Sequence, residues 1–535
     1  MSTLGRDSGG TRAWASVGAE QAVLEQLAGL DGDLESGFNA AEECLYRHPA
    51  GNLALVWRSG SQRLEVTFGE LADAADRMAA ELAARGVGPG SRVAVLLPRR
   101  PELLHTLFAI WRLGAAVVPL FTAFGPTAIA TRVEAAGATV LVTDGVFATR
   151  LPEHFGLSVV DVDQPLRARA PAPPLRRHAP SQPFIVLFTS GTSGFPKGVP
   201  VPLRALLSFR AYLDYSVALR PDDRLWCVAD PGWAYGLFCG LVGPMILGAA
   251  IRFLQDGFEP RRAAAFLVEE RITAVMSAPT AYRLMLPWLS RSGLRLACSA
   301  GEPLPPELAH AFRRATGAPV FDQYGQTEVG MVAGNHHGLA HTVIDGSMGL
   351  AVPGYRVAVL DRAGHPVIGE RGRLAVHLDD SPMGYFTGYL GSRPSVRDDA
   401  CFTPDGWYLT GDLAVQAEAG HLSFASRSDD LIVSSGYRVG PAEIEEQLLR
   451  HPAVADCVVV GRPDRARGEV IVAFVVPAHL DEAEHLIGDL QAYVRRELAA
   501  HLAPREVRLI EEIPRSPSGK PQRFVLRRGL ELQRR

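Results

Sequence analysis

Between residues 71 and 145 the chain alternates helix-patterned stretches with short, nearly unbroken apolar runs, and this alternation restricts the fold more than any other feature. In LADAADRMAAELAARG (71–86), Leu71, Ala75, Met78 and Leu82 recur at helical spacing on one face, and Gly86 supplies a stop. SRVAVLLP then reads as a strand, 102–114 as a helix, AAVVPL as a strand, 129–137 as a helix and ATVLVTD as a strand. A strand apolar on both faces must be covered on both, and strands joined through helices run parallel. The expectation is a parallel α/β sheet with helices on each side. FIVLFTSG (184–191) is a further strand, reached through a Pro/Ala/Arg-rich surface connection at 164–183, and a second α/β stretch runs from 211 to about 323. From 349 the pattern changes to short strands and turns (YRVAVLD, GRLAVHL, GWYLTGD, GHLSFASR), which reads as a small β barrel. The predicted organisation is a loosely ordered segment at 1–35 with one helix near 19–30, and a large domain at 36–428 holding two parallel α/β subdomains plus the barrel. A small, mobile α+β domain follows at 429–535.

Composition excludes several classes. A chain of 535 residues exceeds one ordinary core, and a net charge of −4 offers no basic surface to nucleic acid. The six cysteines (Cys44, Cys227, Cys239, Cys298, Cys401, Cys457) are scattered without a CxxC pair, which points to reduced thiols in a cytoplasm. No apolar run approaches the length of a membrane span, and the glycine-broken run at 237–251 reads as buried core. NHHGLAH (335–341) is expected as a solvated loop rather than a metal site.

Lysine occurs only twice among 54 cationic residues, at Lys197 and Lys520. Arginine is a planar fork and lysine a compact point charge, so two retained lysines in two loop contexts mark places where only an ammonium fits. Lys197 closes TSGTSGFPKG (189–198), which follows a strand and offers hydroxyls, backbone amides and one cation together. Such a run cradles a polyphosphate, because glycines let successive N–H groups converge on anionic oxygens. Pro196 stands where a P-loop nucleotide hydrolase needs glycine before the lysine.

Six motifs then occur in a set order: TSGTSGFPKG (189–198), SAGEPL (299–304), DQYGQTEVG (322–330), GWYLTGD (406–412), RSDDLIVSSGYRVGPAEIE (427–445) and PRSPSGKPQR (514–523). Together they resemble the adenylate-forming superfamily of acyl-CoA synthetases, carrier-protein adenylation domains and luciferases, nearest the acetyl- and medium-chain acyl-CoA synthetases. The resemblance runs from about 38 to 528. It implies a two-step reaction: a carboxylate attacks the α-phosphate of Mg-ATP to give acyl-AMP and pyrophosphate, and a thiol then displaces AMP. ATP, Mg²⁺ and coenzyme A are the implied cofactors, and the partner is a small carboxylic acid. A carrier-protein phosphopantetheine is the alternative acceptor. No nucleic acid and no membrane span are expected, and a homodimer stays open.

The resemblance also distributes roles. Lys520 is the catalytic lysine near the α-phosphate, and Thr189 and Glu328 bring Mg²⁺ to the phosphates. Ser190, Gly191, Thr192, Ser193, Gly194 and Lys197 hold the β- and γ-phosphates. Gly301, Glu302, Pro303, Gln323 and Tyr324 flank the adenine, within the nucleotide-binding motif that continues through Gly325, Gln326 and Thr327. Asp412 accepts the ribose hydroxyls, and Arg427 contacts the ribose or a phosphate from the start of the hinge. Asp429 is the hinge about which the small domain turns between half-reactions. Ser435, Gly436, Tyr437, Arg438 and Arg467 face coenzyme A. Trp233, in DPGWAYG, walls the acyl pocket. Gly325 stands where acetyl-specific members carry a blocking tryptophan, so an acid longer than acetate is expected, medium-chain or aryl, and Gly325→Trp is expected to shift preference toward acetate or propionate.

Overall fold

A computed structural model describes residues 12–149, 151, 156–189, 196–391, 401–427, 432–434, 437–464, 468–478, 483–498, 502–515 and 521–532. The chain divides into two compact units, one built from residues up to 357 with 376–408 and 419–422, the other from 358–375, 409–418 and 423–535.

The first unit holds two six-stranded sheets. One has the order Ser158–Asp161, Val140–Thr143, Arg92–Leu96, Ala116–Pro119, Pro183–Thr189, Lys197–Pro202, all parallel until the last strand, which turns back antiparallel. The other runs Leu225–Cys227, Ala274–Ser277, Leu296–Ser299, Val320–Gln326 in parallel and ends in antiparallel Gly330–Gly334 and Leu350–Ala351. The helix expected over 71–86 spans Phe68–Ala84, and Leu71, Ala75, Met78 and Leu82 are all buried. It starts one turn before Leu71, with Phe68 also buried, because Thr67 and Glu70 form a reciprocal capping box, which satisfies two otherwise orphaned N–H groups. Gly137 ends the helix Pro126–Ala136 at φ +62, a left-handed conformation that glycine enters without steric cost. A three-stranded sheet joins Ile251–Leu254 in parallel to Leu53–Ser59, which pairs in turn with Gln62–Thr67.

Two expectations are corrected here. From Arg12 onward the amino-terminal segment is built into the first unit rather than loosely ordered: Arg12–Ala13 pairs with Leu339–Ala340, and Trp14 Nε1 donates to the Ala351 carbonyl at 2.8 Å. In the helix Ala19–Leu27, Ala22 and Gln26 are fully covered, and Arg210 reaches the Gln26 side chain at 2.6 Å. The histidine run is packed rather than solvated. His336 is 2% exposed and bonded to Ser216, and His337 stacks on Phe321 with ring centroids 4.0 Å apart. Burial lowers their pKa values to about 3 and about 4, so both rings are neutral. Among the described residues no group of three His, Cys, Asp or Glu side chains is disposed to hold a metal.

The second unit carries a four-stranded sheet in the order Val357–Leu360, Arg371–His377, Trp407–Gln416, Leu422–Arg427, where the barrel is expected. Its carboxyl-terminal part is α+β, with one parallel strand pair in an otherwise antiparallel sheet. Tyr437–Val439, Ile432–Ser434, Gly468–Pro477 and Val454–Asp464 lie side by side, and Glu506–Leu509 pairs in parallel with Gly468–Pro477. Val459 and Ile471 pack on one face with Ile444, Leu448 and Leu490, whereas Val458, Val460 and Val472 pack on the other with Leu526 and Leu530. Covering both faces explains why these strands read as unbroken valine runs. Among the described residues no helix is long and apolar enough to cross a membrane.

Candidate active site

In open parallel sheets, ligands bind beyond the carboxyl ends of the strands, where loops diverge and backbone N–H groups are free to turn inward. The residues singled out in the first unit lie at those ends. Pro183–Thr189 stops at Thr189, and the chain returns with Lys197 directly opposite; Thr189 Oγ1 donates to the Lys197 carbonyl at 3.4 Å. Leu296–Ser299 runs into Gly301, Glu302 and Pro303, of which Gly301 and Pro303 are exposed. Gly301 has φ +94, and no atom lies within 4 Å of where a Cβ would stand. Val320–Gln326 carries Gln323, Tyr324, Gly325 and Gln326, and the turn before Gly330–Gly334 presents Thr327 and Glu328. Ser190, Gly191, Thr192, Ser193 and Gly194 lie outside the described residues.

A shell of aromatic residues surrounds Glu328. Its carboxylate is buried and accepts from Tyr389 Oη at 3.0 Å, and the Lys197 ammonium sits 4.7 Å from the centre of the Tyr389 ring. Tyr389 thus touches the lysine of one motif and the glutamate of another, bringing the two together. The Leu390 N–H donates to the Gly198 carbonyl at 2.7 Å, which fixes this segment beside the returning strand. Tyr408 Oη donates to Gln326 at 3.1 Å, and Tyr385 Oη donates to the Thr327 carbonyl at 3.0 Å. Phe386 packs edge-on to Tyr389 and Tyr408. Burial first, then the Glu328 charge, hold the Tyr389 phenol far above its usual range, so it remains a donor. Sequence reasoning passed over this shell. Its signal was the density of aromatic residues in GYFTGYL (384–390) just ahead of GWYLTGD.

Other residues occupy places that differ from expectation. The Gln323 side chain is turned into the core, where it accepts from Tyr212 Oη and donates to the Ser216 carbonyl, so an adenine contact from Gln323 is left to its backbone. Glu302 accepts from the Thr280 N–H at 3.2 Å and Thr280 Oγ1 at 2.7 Å, bracing the start of the helix Pro279–Met285. At Gly325 a Cβ would stand 2.4 Å from the Gly330 carbonyl oxygen and 2.7 Å from Met331 Sδ. Glycine is required there because the register shifts between Tyr324 and Gly325, pressing the two hairpin strands together. Gly325→Trp would therefore displace the hairpin, and it is not the clean pocket-filling change expected from the motif alone. Trp233 is half-buried and meets Phe121 and Phe124 at centroid distances of 5.6 and 5.9 Å. Phe121 follows the end of Ala116–Pro119 and Trp233 follows the end of Leu225–Cys227, so one aromatic group joins the mouths of both sheets.

In the second unit Asp412 is buried, and Arg427 Nη1 lies 3.3 Å from its carboxylate. The Asp412 N–H donates to Thr410 Oγ1, which itself donates to the Leu374 carbonyl, holding the acid in place. Tyr437 and Arg438 fall on the strand Tyr437–Val439, hairpin-paired with Ile432–Ser434. Asp429, Ser435, Gly436, Arg467 and Lys520 lie outside the described residues.

Residues 41–390 match the AMP-binding enzyme family, and residues 443–520 match the AMP-binding enzyme C-terminal domain. The chain belongs to the AMP-binding enzymes. It is similar to the acetyl-coenzyme A synthetase of Bacillus subtilis (strain 168), 30% identical over 520 residues that cover 91% of this chain and 90% of that protein. Human mitochondrial acyl-coenzyme A synthetase ACSM3 is 32% identical, over 89% of this chain and 86% of its own length. Among solved structures, the Brucella canis acyl-CoA synthetase superposes with a TM-score of 0.76 at 40% identity, covering 98% of this chain and 100% of that one. This AMP-binding enzyme is an acid–thiol ligase of the AMP-forming acyl-CoA synthetase type, in a family that uses ATP and coenzyme A.

Proposed function

We propose that this AMP-binding enzyme activates a carboxylic acid larger than acetate, medium-chain aliphatic or aryl, and transfers it to coenzyme A. The observation that carries the acid class is the half-buried aromatic group of Phe121, Phe124 and Trp233 at the strand ends. An apolar wall of this size gains little from a two-carbon acid and much from a longer chain or a ring. The Trp233 indole N–H is buried without a partner, a donor that an oxygen of the bound acid would satisfy.

In this reading the loop from Thr189 to Lys197 holds the nucleotide phosphates, Gly301, Pro303 and Tyr324 border the adenine, and Asp412 with Arg427 takes the ribose. Glu328 and Thr189 are hard oxygen donors and suit Mg²⁺; two such groups fit an ion carried in on ATP better than a resident metal. Mg²⁺, when bound, neutralises charge on the phosphates. Lys520 orients the acid against the α-phosphate. Asp429 divides a large domain that ends at 428 from one at 429–535, and Ser435, Gly436, Tyr437, Arg438 and Arg467 meet coenzyme A. Six scattered cysteines without a CxxC pair favour a cytoplasmic location.

The test is pyrophosphate release with Mg-ATP over acids from acetate to C12 and a set of benzoates, each with and without coenzyme A. Turnover that depends on coenzyme A and peaks beyond C3 or on an aryl acid is the expected result. A peak on acetate would overturn the acid class, and acyl-AMP without coenzyme A turnover would move the acceptor to a carrier protein.

A further inference from the structure

A second charged region lies at the amino ends of the second sheet, opposite the strand ends that form the active site. A surface cavity of about 390 Å³ is lined there by four arginines, Arg63, Arg224, Arg252 and Arg271. Arg224 immediately precedes the strand Leu225–Cys227, and Arg271 lies in the turn between the helix Pro260–Glu269 and the strand Ala274–Ser277. Arg252 comes from the strand Ile251–Leu254 and forms the floor, only 8% exposed.

Three carboxylates also line the cavity, and each is paired with Arg63, Arg58 or Arg262. Glu270 is held by Arg58 at 2.5 Å and Arg63 at 3.1 Å. Glu269 is held by Arg262 at 2.9 Å and Arg58 at 3.3 Å, and Glu65 by Arg63 at 2.7 Å. Arg252 Nη1 donates to the Ala250 carbonyl at 3.1 Å, and its Nε is buried without a hydrogen-bond partner. Burial first, then the neighbouring charge of Arg224, lower its pKa to about 10 against the opposing charges of Glu270 and Glu65, which leaves it cationic at neutral pH. A buried guanidinium with an unmet donor, lining the same solvent-open hollow as Arg224 and Arg271, is costly unless an anion meets it. The planar fork of arginine matches the paired oxygens of a phosphate, and several arginines around one hollow are the usual way to hold such a group.

We propose that this cavity binds a phosphate-class oxyanion between Arg252 at the floor and Arg224 and Arg271 at the rim, as a site separate from the active site. The reaction itself releases pyrophosphate and AMP, so free anion and nucleotide phosphate are both at hand as sources.

The experiment is calorimetric titration of the full-length protein with inorganic phosphate, pyrophosphate and AMP as separate probes. Four proteins are compared: wild type, Lys197→Ala, Arg252→Gln, and the double variant Arg224→Gln/Arg271→Gln. Saturable binding is expected to survive Lys197→Ala and to weaken about tenfold or more in the other two. The rim side chains are exposed, so the double variant is expected to keep the wild-type melting temperature without anion, which separates lost binding from lost folding. Binding of phosphate and pyrophosphate identifies free anion as the ligand, and binding confined to AMP identifies a nucleotide phosphate. Binding that the double variant leaves unchanged, or no saturable binding of any probe, overturns the proposal.

Discussion

Tyr389 is a single side chain that links residues of two motifs far apart in the chain: its hydroxyl bonds Glu328 and its ring carries the Lys197 ammonium. A hydrogen bond to a buried carboxylate contributes about 1.5–3 kcal/mol. Tyr389→Phe keeps the ring and removes the bond, so kcat/KM for ATP should fall about tenfold or more while the melting temperature changes little. An unchanged kcat/KM would show that Glu328 holds its place without Tyr389. Asp322 tests burial in a different way. It is 7% exposed, accepts from the Leu304 and Gln323 N–H groups, and desolvation raises its pKa from 3.8 to about 8. Between these two values the folded protein holds a proton that the unfolded chain releases. The stability this supplies is full below about pH 4 and is lost as pH rises toward 8. Asp322→Asn keeps both acceptor contacts and removes the titration, so melting curves should show the variant gaining on wild type across that window. Parallel curves would mean that the Asp322 carboxyl is ionised throughout.

Elements show where local pattern sufficed and where it did not. The helices and strands between 68 and 143 follow their sequence periodicity closely, because each buries a stripe set by its own residues. The apolar run at 237–251 is buried as expected, yet Tyr235–Val242 is a π-helix, and so is Tyr212–Val217. Apolar periodicity does not separate a wider helix from an α-helix, and the wider turn is stabilised by neighbours such as the Phe209–Phe238 stack at 4.5 Å. The hairpin of Val320–Gln326 and Gly330–Gly334 gives a sharp prediction. Because a Cβ at Gly325 meets the Gly330 carbonyl, Gly325→Ala should destabilise the protein by about 1–3 kcal/mol, read as a lower melting temperature. An alanine variant with unaltered stability would show that the strands yield, and would restore Gly325 as a position for reshaping the acyl pocket.

At the scale of the whole molecule, the proposed roles of Lys520 and the coenzyme A segment divide the two half-reactions between separate parts of the chain. Lys520→Ala should abolish acyl-AMP formation, a loss of at least about 100-fold, while thioester formation from supplied acyl-AMP continues. Equal losses in both half-reactions would contradict that division. The order of six motifs, the retention of two lysines and the alternation of helix and strand were all readable from the chain, because each is a local arrangement of residue types along a line. Together they were enough to point to the family, to acyl adenylation and to a parallel α/β architecture. What tertiary structure alone decided concerns residues far apart in that line. It turned Gln323 inward, anchored residues 12–30 through Trp14 and Arg210, buried His336, and set Tyr389 between Lys197 and Glu328. It also gathered Arg63, Arg224, Arg252 and Arg271 around one cavity. Each of these depends on which strands lie side by side, and strand order is fixed by packing of the whole core, which no window of neighbouring residues contains.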